Sequence, residues 1–365
     1  MELRLQVQGE KHVLNLFKPK HRSLLGIDIS SSSIKILEIS SIGEQYRVEG
    51  YGRVLLPENA MEGSVIKDVD AVASSIRKLL TSAHLTCKQA ALAVPDSAAI
   101  SKIIQINEGL RDEEIEEMVV MEADKYFPYP IDEINLDFEV LGPSAKNSAL
   151  LDVLVVASRA EIVSNRVEAI TRAGLEATIV DVESYAVERT AQLLAAELPA
   201  SGVNKIIAII DIGAVYTHFF VLHGLKTIFS REEEFGGKQL VDSIRQRYGM
   251  TAEAATLAIA SNSMPETYEM EVLQPFKEMI LLQVKRALQF FFSTSHHTYV
   301  DYIMLAGGVA NQPGIVQLLQ EYINIPTGLA HPFTHMELAK TVNNELLIDE
   351  SPGLLVACGL ALRAC

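Results

Sequence analysis

LLGIDISSSSIKILEI, residues 24–39, is the stretch that decides the fold of this chain. An apolar run ends at Asp28, a second apolar run begins at Ile34 with Lys35 near its start, and between them lies a turn of four serines: Ser30, Ser31, Ser32 and Ser33. Two strands joined by a small polar turn predict a hairpin. Its hydroxyls, backbone N–H groups and ammonium could hold a phosphate, and Asp28 lies where a phosphate-bound Mg²⁺ needs a carboxylate.

A second copy of this pattern strengthens the hypothesis, because a serine-rich hairpin alone is more often only a turn. Residues 206–224 have the sequence IIAIIDIGAVYTHFFVLHG, in which an apolar strand ends at Asp211. A small turn with Gly213 follows, then Thr217 and another strand. Asp28 and Asp211 lie 183 residues apart in a chain of 365, so the same pattern stands near the start of each half of the chain.

A third stretch, DYIMLAGGVANQPG at residues 301–314, predicts a strand that runs into Gly307 and Gly308. Glycine allows the backbone to approach a flat ligand where a Cβ would clash. Two aspartate hairpins followed by a late strand, two glycines and a helix are the pattern of the actin/Hsp70/sugar-kinase superfamily. Proteins of that superfamily have two similar halves that close over ATP. The resemblance implies an α/β, actin-like fold, in which a ribonuclease H-like unit is duplicated to give two lobes around a nucleotide cleft.

Composition limits the classes of function. An apolar fraction of 48% is typical of a globular protein. The net charge of −16 disfavours nucleic acid as a partner, since such binding depends on clustered Lys and Arg. Four cations do cluster ahead of the first strand, either on a solvated tail or as a contact for anionic lipid: Lys11, Lys18, Lys20 and Arg22. Three scattered cysteines without CxxC spacing favour a reducing cytosol, and no secretory signal or spanning apolar run is expected.

The order of predicted elements suggests an interrupted first half. Residues 88–158 predict two strands, a helix and two more strands, a self-contained α+β unit inserted into the first lobe. Residues 252–267 show no clear hydrophobic period. The predicted organisation is an N-terminal extension (1–22), a first actin-like domain called 1A (23–87 and 159–200), the insert called 1C (88–158), a second actin-like domain called 2A (203–235 and 296–365) and a helical subdomain called 2B (236–295).

An insert at this position is not where actin, Hsp70 or sugar kinases carry theirs. It resembles the 1C domain of the FtsA/PilM branch of actin-like proteins. The sequence itself is more similar to PilM, a family of cytoplasmic type IV pilus assembly proteins. The resemblance extends over about residues 13–363. It depends on VLNLFKPKHRSLLGIDISSSSIKILEIS, ALAVPDSAAISKIIQI, MEADKYFPYPIDEINLDFEVLG, DVESYAVER and ACGLALR.

This resemblance implies roles for individual residues. Asp28, Ser30 to Ser33 and Lys35 match the first phosphate loop, and Lys35 follows Asp28 by seven residues, the spacing that actin uses for its phosphate-binding lysine. Asp211, Gly213 and Thr217 match the second loop, and both aspartates are expected to bind Mg²⁺ through water. The adenosine and ribose candidates are Gly307, Gly308, Lys238, Arg245 and Gln246. Glu183 matches the acid that positions the attacking water, although a carboxylate that stabilises a helix N-terminus explains it equally well.

The resemblance also implies a function. The chain is expected to bind ATP and Mg²⁺, with at most slow hydrolysis because no arginine finger or strong base is evident. Its expected partner is the cytoplasmic N-terminal peptide of PilN, in a groove between domain 1A and the insert, which places the chain at the cytoplasmic face of the inner membrane. Contacts with other pilus components and self-association are open. Two alternatives also stay open, an FtsA-like polymerising division protein and a small-molecule kinase of the same superfamily.

Overall fold

The computed structural model of the 365-residue chain describes residues 22–42, 45–145 and 147–364. The backbone forms two compact units. Unit 1 comprises the described residues up to Ala186, together with Glu337–Thr341 and the residues from Val356 onward, and unit 2 comprises Val187–Met336 and Val342–Leu355. All but the last residue of the predicted N-terminal extension lies outside the described residues. The predicted boundaries of the four subdomains stay a prediction.

The secondary structure of the described residues alternates between strands and helices. The strands are β1 (Arg22–Ile29), β2 (Ser33–Ile42), β3 (Gln45–Leu55), β4 (Met61–Glu62), β5 (Val65–Ile66), β6 (Gln89–Val94), β7 (Ala99–Asn107), β8 (Ile134–Pro143), β9 (Leu150–Arg159), β10 (Glu176–Val182), β11 (Ile206–Ile212), β12 (Thr217–His223), β13 (Lys226–Glu233), β14 (Tyr302–Ala306), β15 (Thr327–Leu329) and β16 (Glu337–Leu338). The α-helices are α1 (Val69–Ser82), α2 (Asp112–Tyr126), α3 (Ala160–Arg172), α4 (Glu183–Leu193), α5 (Gly237–Tyr248), α6 (Ala252–Ala260), α7 (Gln274–Thr294), α8 (Ile315–Ile323), α9 (Asn344–Glu350) and α10 (Leu355–Ala361).

Unit 1 is built on a sheet of strand order β10-β6-β1-β2-β3-β16. Strands β1, β2 and β3 form an antiparallel meander, and β6 and β10 join β1 in parallel. The apolar face formed by Leu25, Ile27 and Ile29 of β1 packs into a core with α1 and α3. Asp28, between two of these residues, therefore projects from the other face of the strand.

Unit 2 repeats this arrangement with the strand order β13-β12-β11-β14-β15. Strands β11, β12 and β13 are antiparallel, and β14 and β15 follow in parallel on the other side of β11. The central strand β11 is buried along its whole length. Three antiparallel strands followed by two parallel ones thus occur in both units, which is the duplication that the two aspartate hairpins predict.

The insert forms a separate antiparallel sheet of order β7-β9-β8 within unit 1. Helix α2 covers one face of this sheet, and the two share their own hydrophobic core around Ile104, Val119 and Val153. The strands alternate between this core and the opposite face, as expected for an antiparallel sheet covered on one side. The segment Pro95–Ala98, which includes a short 3₁₀ turn, connects the large sheet of unit 1 to the insert.

Helix α10 packs directly against strand β1 at Gly26. A Cβ atom at this position would lie 2.0 Å from the carbonyl oxygen of Ala357 and 2.6 Å from the nitrogen of Ala361. Only glycine fits such a contact between backbones. The strand that carries Asp28 is thereby fixed between the core of unit 1 and its C-terminal helix.

Candidate functional site

The first candidate loop, residues 29–33, is a tight turn between β1 and β2. The backbone N–H of Ser30 donates to the carbonyl oxygen of Ser33 over 3.0 Å, and the Ser30 hydroxyl donates to the same oxygen over 2.9 Å. The carbonyl oxygen of Ser32 accepts from the N–H of Leu56 over 2.9 Å. Ser33 is buried, whereas Ser31 and Ser32 are partly exposed at the tip of the turn. Ser30 is partly exposed as well, so three of the four serines are accessible at the turn.

Asp28 and Lys35 face each other across this hairpin as register partners. The Lys35 Nζ donates to the Asp28 Oδ2 over 2.8 Å, with side-chain exposures of 14% for Lys35 and 7% for Asp28. Each charge compensates the other at a position largely removed from water, where an unpaired charge would be costly. The sequence predicted both residues for one site, and the structure brings them together.

Glu183 lies at the first position of α4, directly after the carboxyl end of β10. A second charged residue, Arg166 of α3, is only 1% exposed and faces the same region. Burial lowers the pKa of the Arg166 guanidinium below its ordinary value. The negative charges of Glu183 and Asp28 offset part of this effect, because they raise the pKa. Arg166 was not predicted from the sequence. It follows Ile162 by four residues and precedes Ile170 by four, so the helical period places it on the buried face.

The second candidate loop, residues 212–216, has the same geometry in unit 2. Asp211 is 9% exposed near the end of β11, and the N–H of Gly213 donates to the carbonyl oxygen of Tyr216 over 3.0 Å. The N-terminus of α5 holds this loop, because the N–H groups of Gly237 and Lys238 donate to the carbonyl oxygens of Gly213 and Ala214 over 3.0 and 2.7 Å.

Gly307 lies against Asp211 because β14 runs parallel to β11 and both strands end at the same edge. Its φ is +88°, and a Cβ there would lie 2.4 Å from the Asp211 Oδ1 and 2.3 Å from the Ile212 carbonyl oxygen. The N–H of Gly307 donates to the carbonyl oxygen of Pro352 over 2.7 Å, and Gly353 lies beside Gly308. The sequence predicted Gly307 and Gly308 as a backbone platform, but it missed Pro352 and Gly353.

The other predicted residues of unit 2 have different surroundings. Thr217 is buried, and its hydroxyl donates to the carbonyl oxygen of Phe235 over 2.7 Å, so it braces the loop from inside. Lys238, Arg245 and Gln246 are exposed on α5, and Arg245 pairs with Asp242 over 3.0 Å. Their contacts with a ribose stay a prediction, as do the ligand roles of the two loops.

His218 occupies the place in unit 2 that Lys35 has in unit 1. It is the register partner of Asp211, and its Nε2 lies 2.8 Å from the Glu232 Oε2. His218 was not predicted from the sequence, although it follows Asp211 by seven residues, as Lys35 follows Asp28.

A groove lies at the start of the insert, within unit 1. Its cavity has a volume of about 250 Å³. The lining combines apolar side chains with hydroxyls and one cation: Ser64, Ser97, Ala98, Ile100, Phe127, Tyr129, Ile134, Ala157, Ser158, Arg159 and Ile162. The Arg159 guanidinium stacks 4.4 Å from the centre of the Tyr129 ring and donates to its hydroxyl over 2.8 Å. Such a cavity suits small aliphatic side chains and a few polar backbone groups of an extended peptide.

The part of the chain that the structure describes contains neither a metal-binding cluster nor a membrane-spanning helix. No cluster of three or more His, Cys, Asp or Glu side chains in the described ranges is arranged to hold a metal ion. Among the helices that the structure describes, none combines the length and apolar character required to cross a membrane.

Comparisons with known proteins agree with this architecture. A family model described as type IV pilus assembly protein PilM matches residues 26–365. A chain of a solved PilM-PilN type IV pilus biogenesis complex is 26% identical, with a TM-score of 0.76 over 93% of this chain and 98% of that chain. The ethanolamine utilization protein EutJ from Carboxydothermus hydrogenoformans is 13% identical, with a TM-score of 0.55 over 96% of this chain and 92% of that chain. These similarities confirm the predicted actin-like α/β fold.

Proposed function

We propose that this chain, which belongs to the PilM family of type IV pilus assembly proteins, is an ATP-binding scaffold that docks PilN in a nucleotide-dependent way. The observation that carries the proposal is one hairpin geometry present in both units. In each, a buried aspartate lies near the end of a strand, and an N–H···O bond of 3.0 Å closes the turn that follows, from Ser30 to Ser33 in unit 1 and from Gly213 to Tyr216 in unit 2. Paired loops of this kind supply the donors and carboxylates that a polyphosphate with Mg²⁺ requires.

The residues of the two loops fit ATP and Mg²⁺ in their chemistry. Loop 1 offers serine hydroxyls and the Lys35 ammonium for phosphate oxygens, and Asp28 and Asp211 offer carboxylates to water molecules on the metal. Gly308 is exposed next to the buried Gly307, so an adenosine could lie flat on its backbone. When bound, Mg²⁺ would neutralise part of the phosphate charge.

Glu183 is the residue of this chain that we assign to orienting a water molecule for hydrolysis. It is partly exposed at the helix N-terminus, and its negative charge raises the pKa of the buried Arg166 guanidinium. We place any turnover at a slow rate, since nothing in the two loops acts as a strong general base. ATP therefore serves to fix a conformation that a partner recognises.

The proposed partner is the N-terminal cytoplasmic peptide of PilN. Support comes from the similar chain in the solved PilM-PilN complex and from the groove at the start of the insert. Its apolar walls, including Phe127, Ile134 and Ile162, suit aliphatic side chains, and its hydroxyls suit the peptide backbone. Through PilN the chain would be held at the cytoplasmic face of the inner membrane. The match to the PilM family over residues 26–365 favours this function over a division protein or a small-molecule kinase.

Filling the groove tests the partner half of this proposal. The Ser97→Trp substitution places an indole at an exposed position on the groove wall. We expect it to weaken binding of a synthetic PilN N-terminal peptide at least about 30-fold, since losing one well-packed anchor typically costs 2 kcal/mol or more. Isothermal titration calorimetry measures this change.

The Ser82→Trp substitution is the matched control, because Ser82 is an exposed serine of unit 1 outside the groove. We expect it to bind the peptide as the unaltered protein does, and both variants to retain ATP binding. Equal peptide affinity in the Ser97→Trp and unaltered proteins would exclude the groove as the docking site.

A further inference from the structure

The groove and the carboxyl edge of the large sheet lie on two sides of one short segment of unit 1. Strand β6 has Asp181 of β10 as the register partner of Ala93, and it pairs with β1 on its other side up to Ile27. After Val94 the chain turns through residues 95–98 into β7, and Ser97 and Ala98 of that turn line the groove. A single chain segment thus leads from the strand ends next to Asp28 and Glu183 to the groove wall.

Arg166 of α3 contacts both the groove and the carboxyl edge of the large sheet. Its Nε donates to the carbonyl oxygen of Ala93 over 3.1 Å, and its Nη2 donates to the carbonyl oxygen of Ser64 over 2.8 Å. Ser64 lines the groove, while Ala93 lies at the strand ends beside the candidate nucleotide loop. Arg166 is 1% exposed, so displacing its guanidinium from both carbonyl groups would remove two of the three carbonyl contacts of a buried charge, which is costly.

The first turn of α4 makes a second connection. The N–H of Ser184, next to Glu183, donates to the Asp96 Oδ2 over 3.0 Å. The hydroxyls of Tyr185 and Ser101 of β7 lie 3.1 Å apart, within hydrogen-bonding distance. The carboxylate of Asp96 therefore holds the N-terminus of the helix that carries Glu183, from within the turn that forms the groove wall.

We infer that Arg166 and Asp96 couple the peptide groove to the nucleotide loop, so that occupancy of one raises the affinity of the other. This inference rests on the proposed function. A peptide in the groove fixes the carbonyl group of Ser64 and the turn at residues 95–98. These in turn hold the Arg166 guanidinium at the carbonyl group of Ala93, next to the strand end that carries Asp28, and hold the N-terminus of α4 at the Asp96 carboxylate. A nucleotide that binds at Asp28 holds the same groups from the other side, and the coupling is therefore reciprocal.

A two-ligand titration measures this coupling directly on the full chain. The dissociation constant of the PilN N-terminal peptide is determined by calorimetry without nucleotide and with saturating AMPPNP and Mg²⁺, a pair that avoids hydrolysis. We expect the nucleotide to tighten peptide binding about tenfold, within the usual range of allosteric coupling. The converse titration, of nucleotide with and without peptide, must give the same factor.

Two variants locate the coupling. Arg166→Lys keeps the charge but cannot donate to Ala93 and Ser64 with the geometry of a guanidinium. Asp96→Ala removes the acceptor at the N-terminus of α4. In both we expect the coupling factor to fall below about twofold while each ligand still binds alone. The matched controls are Arg172→Lys, on the same helix as Arg166, and Asp70→Ala. Arg172 and Asp70 form an exposed ion pair of unit 1, and we expect both control variants to leave the coupling factor unchanged.

The coupling factor distinguishes a lost coupling from a loss of structure. A partly unfolded variant would bind both ligands more weakly, but the ratio of its peptide dissociation constants without and with nucleotide would not change. Should Arg166→Lys fail to fold by circular dichroism, Asp96→Ala decides the result. Both ligands binding to the unaltered protein with a factor near one would overturn the coupling and the nucleotide dependence of docking, but would leave ATP binding and PilN docking themselves intact. A coupling factor that persists in both variants would overturn the role of Arg166 and Asp96 in it. Failure of the unaltered protein to bind either ligand would overturn the proposed function itself.

Discussion

Replacing Gly307 by alanine is expected to abolish detectable ATP binding and to lower the free energy of unfolding of unit 2 by about 2–4 kcal/mol. The new methyl group would lie 2.4 Å from the Asp211 Oδ1 and 2.3 Å from the Ile212 carbonyl oxygen, at a φ of +88° that favours glycine. Relief of this clash has to move Asp211 and the second loop. Thermal unfolding and calorimetry with ATP and Mg²⁺ measure the two effects.

Gly224→Ala is the control for this prediction. Gly224 lies in the turn between β12 and β13 with a φ of +57°, and a Cβ atom there would have no other heavy atom within 4 Å. We expect this variant to lose about 1–2 kcal/mol through its backbone conformation alone and to bind ATP as the unaltered protein does. Unchanged ATP affinity in the Gly307→Ala protein would separate Gly307 from the nucleotide site.

Replacing Lys35 by methionine is expected to weaken ATP binding about 10- to 100-fold, the range for losing a charge-assisted hydrogen bond to phosphate. The substitution also leaves Asp28, 7% exposed, without the cation that lies 2.8 Å away. Removing one member of a buried ion pair costs stability, whereas removing both members is often nearly neutral. Stability and ATP affinity should therefore respond differently to a second substitution.

The double variant Lys35→Met with Asp28→Asn separates these effects. We expect it to recover most of the stability lost by Lys35→Met in urea unfolding, and not to recover ATP binding. Recovery of ATP affinity together with stability would mean that Lys35 acts only on the fold. Full ATP affinity in the single variant would likewise remove Lys35 from the site.

The sequence predicted the two hairpins because their signals are local. An apolar run, one carboxylate, a turn of small residues and a second apolar run follow each other within 16 residues in the first copy. The same patterning predicted the insert, whose sheet and helix share one core. The repeat of strand order in the two units then follows from equivalent connections.

Other features depend on contacts that the sequence does not display. Helix α6 was not predicted because its sequence, AEAATLAIA, is apolar on nearly every side and shows no hydrophobic stripe of helical period. Its best sequence signal is the N-cap residue Thr251, whose hydroxyl accepts from the N–H of Ala254 over 3.2 Å. Gly353 belongs to the Gly307 platform only because the chain returns 45 residues later. Arg166 contacts Ala93 and Ser64, which are 73 and 102 residues away along the chain. Such pairings follow from tertiary packing and not from local period.

The most direct test of nucleotide binding by paired loops is calorimetry of ATP with Mg²⁺ on the full chain and on two single variants, Asp28→Asn and Asp211→Asn. We predict one ATP per chain and a loss of affinity of at least about tenfold in each variant, as for groups that act on a metal through water. Losses in both variants would support a role for each aspartate in ATP binding. Undiminished binding in either variant would contradict the role of its loop.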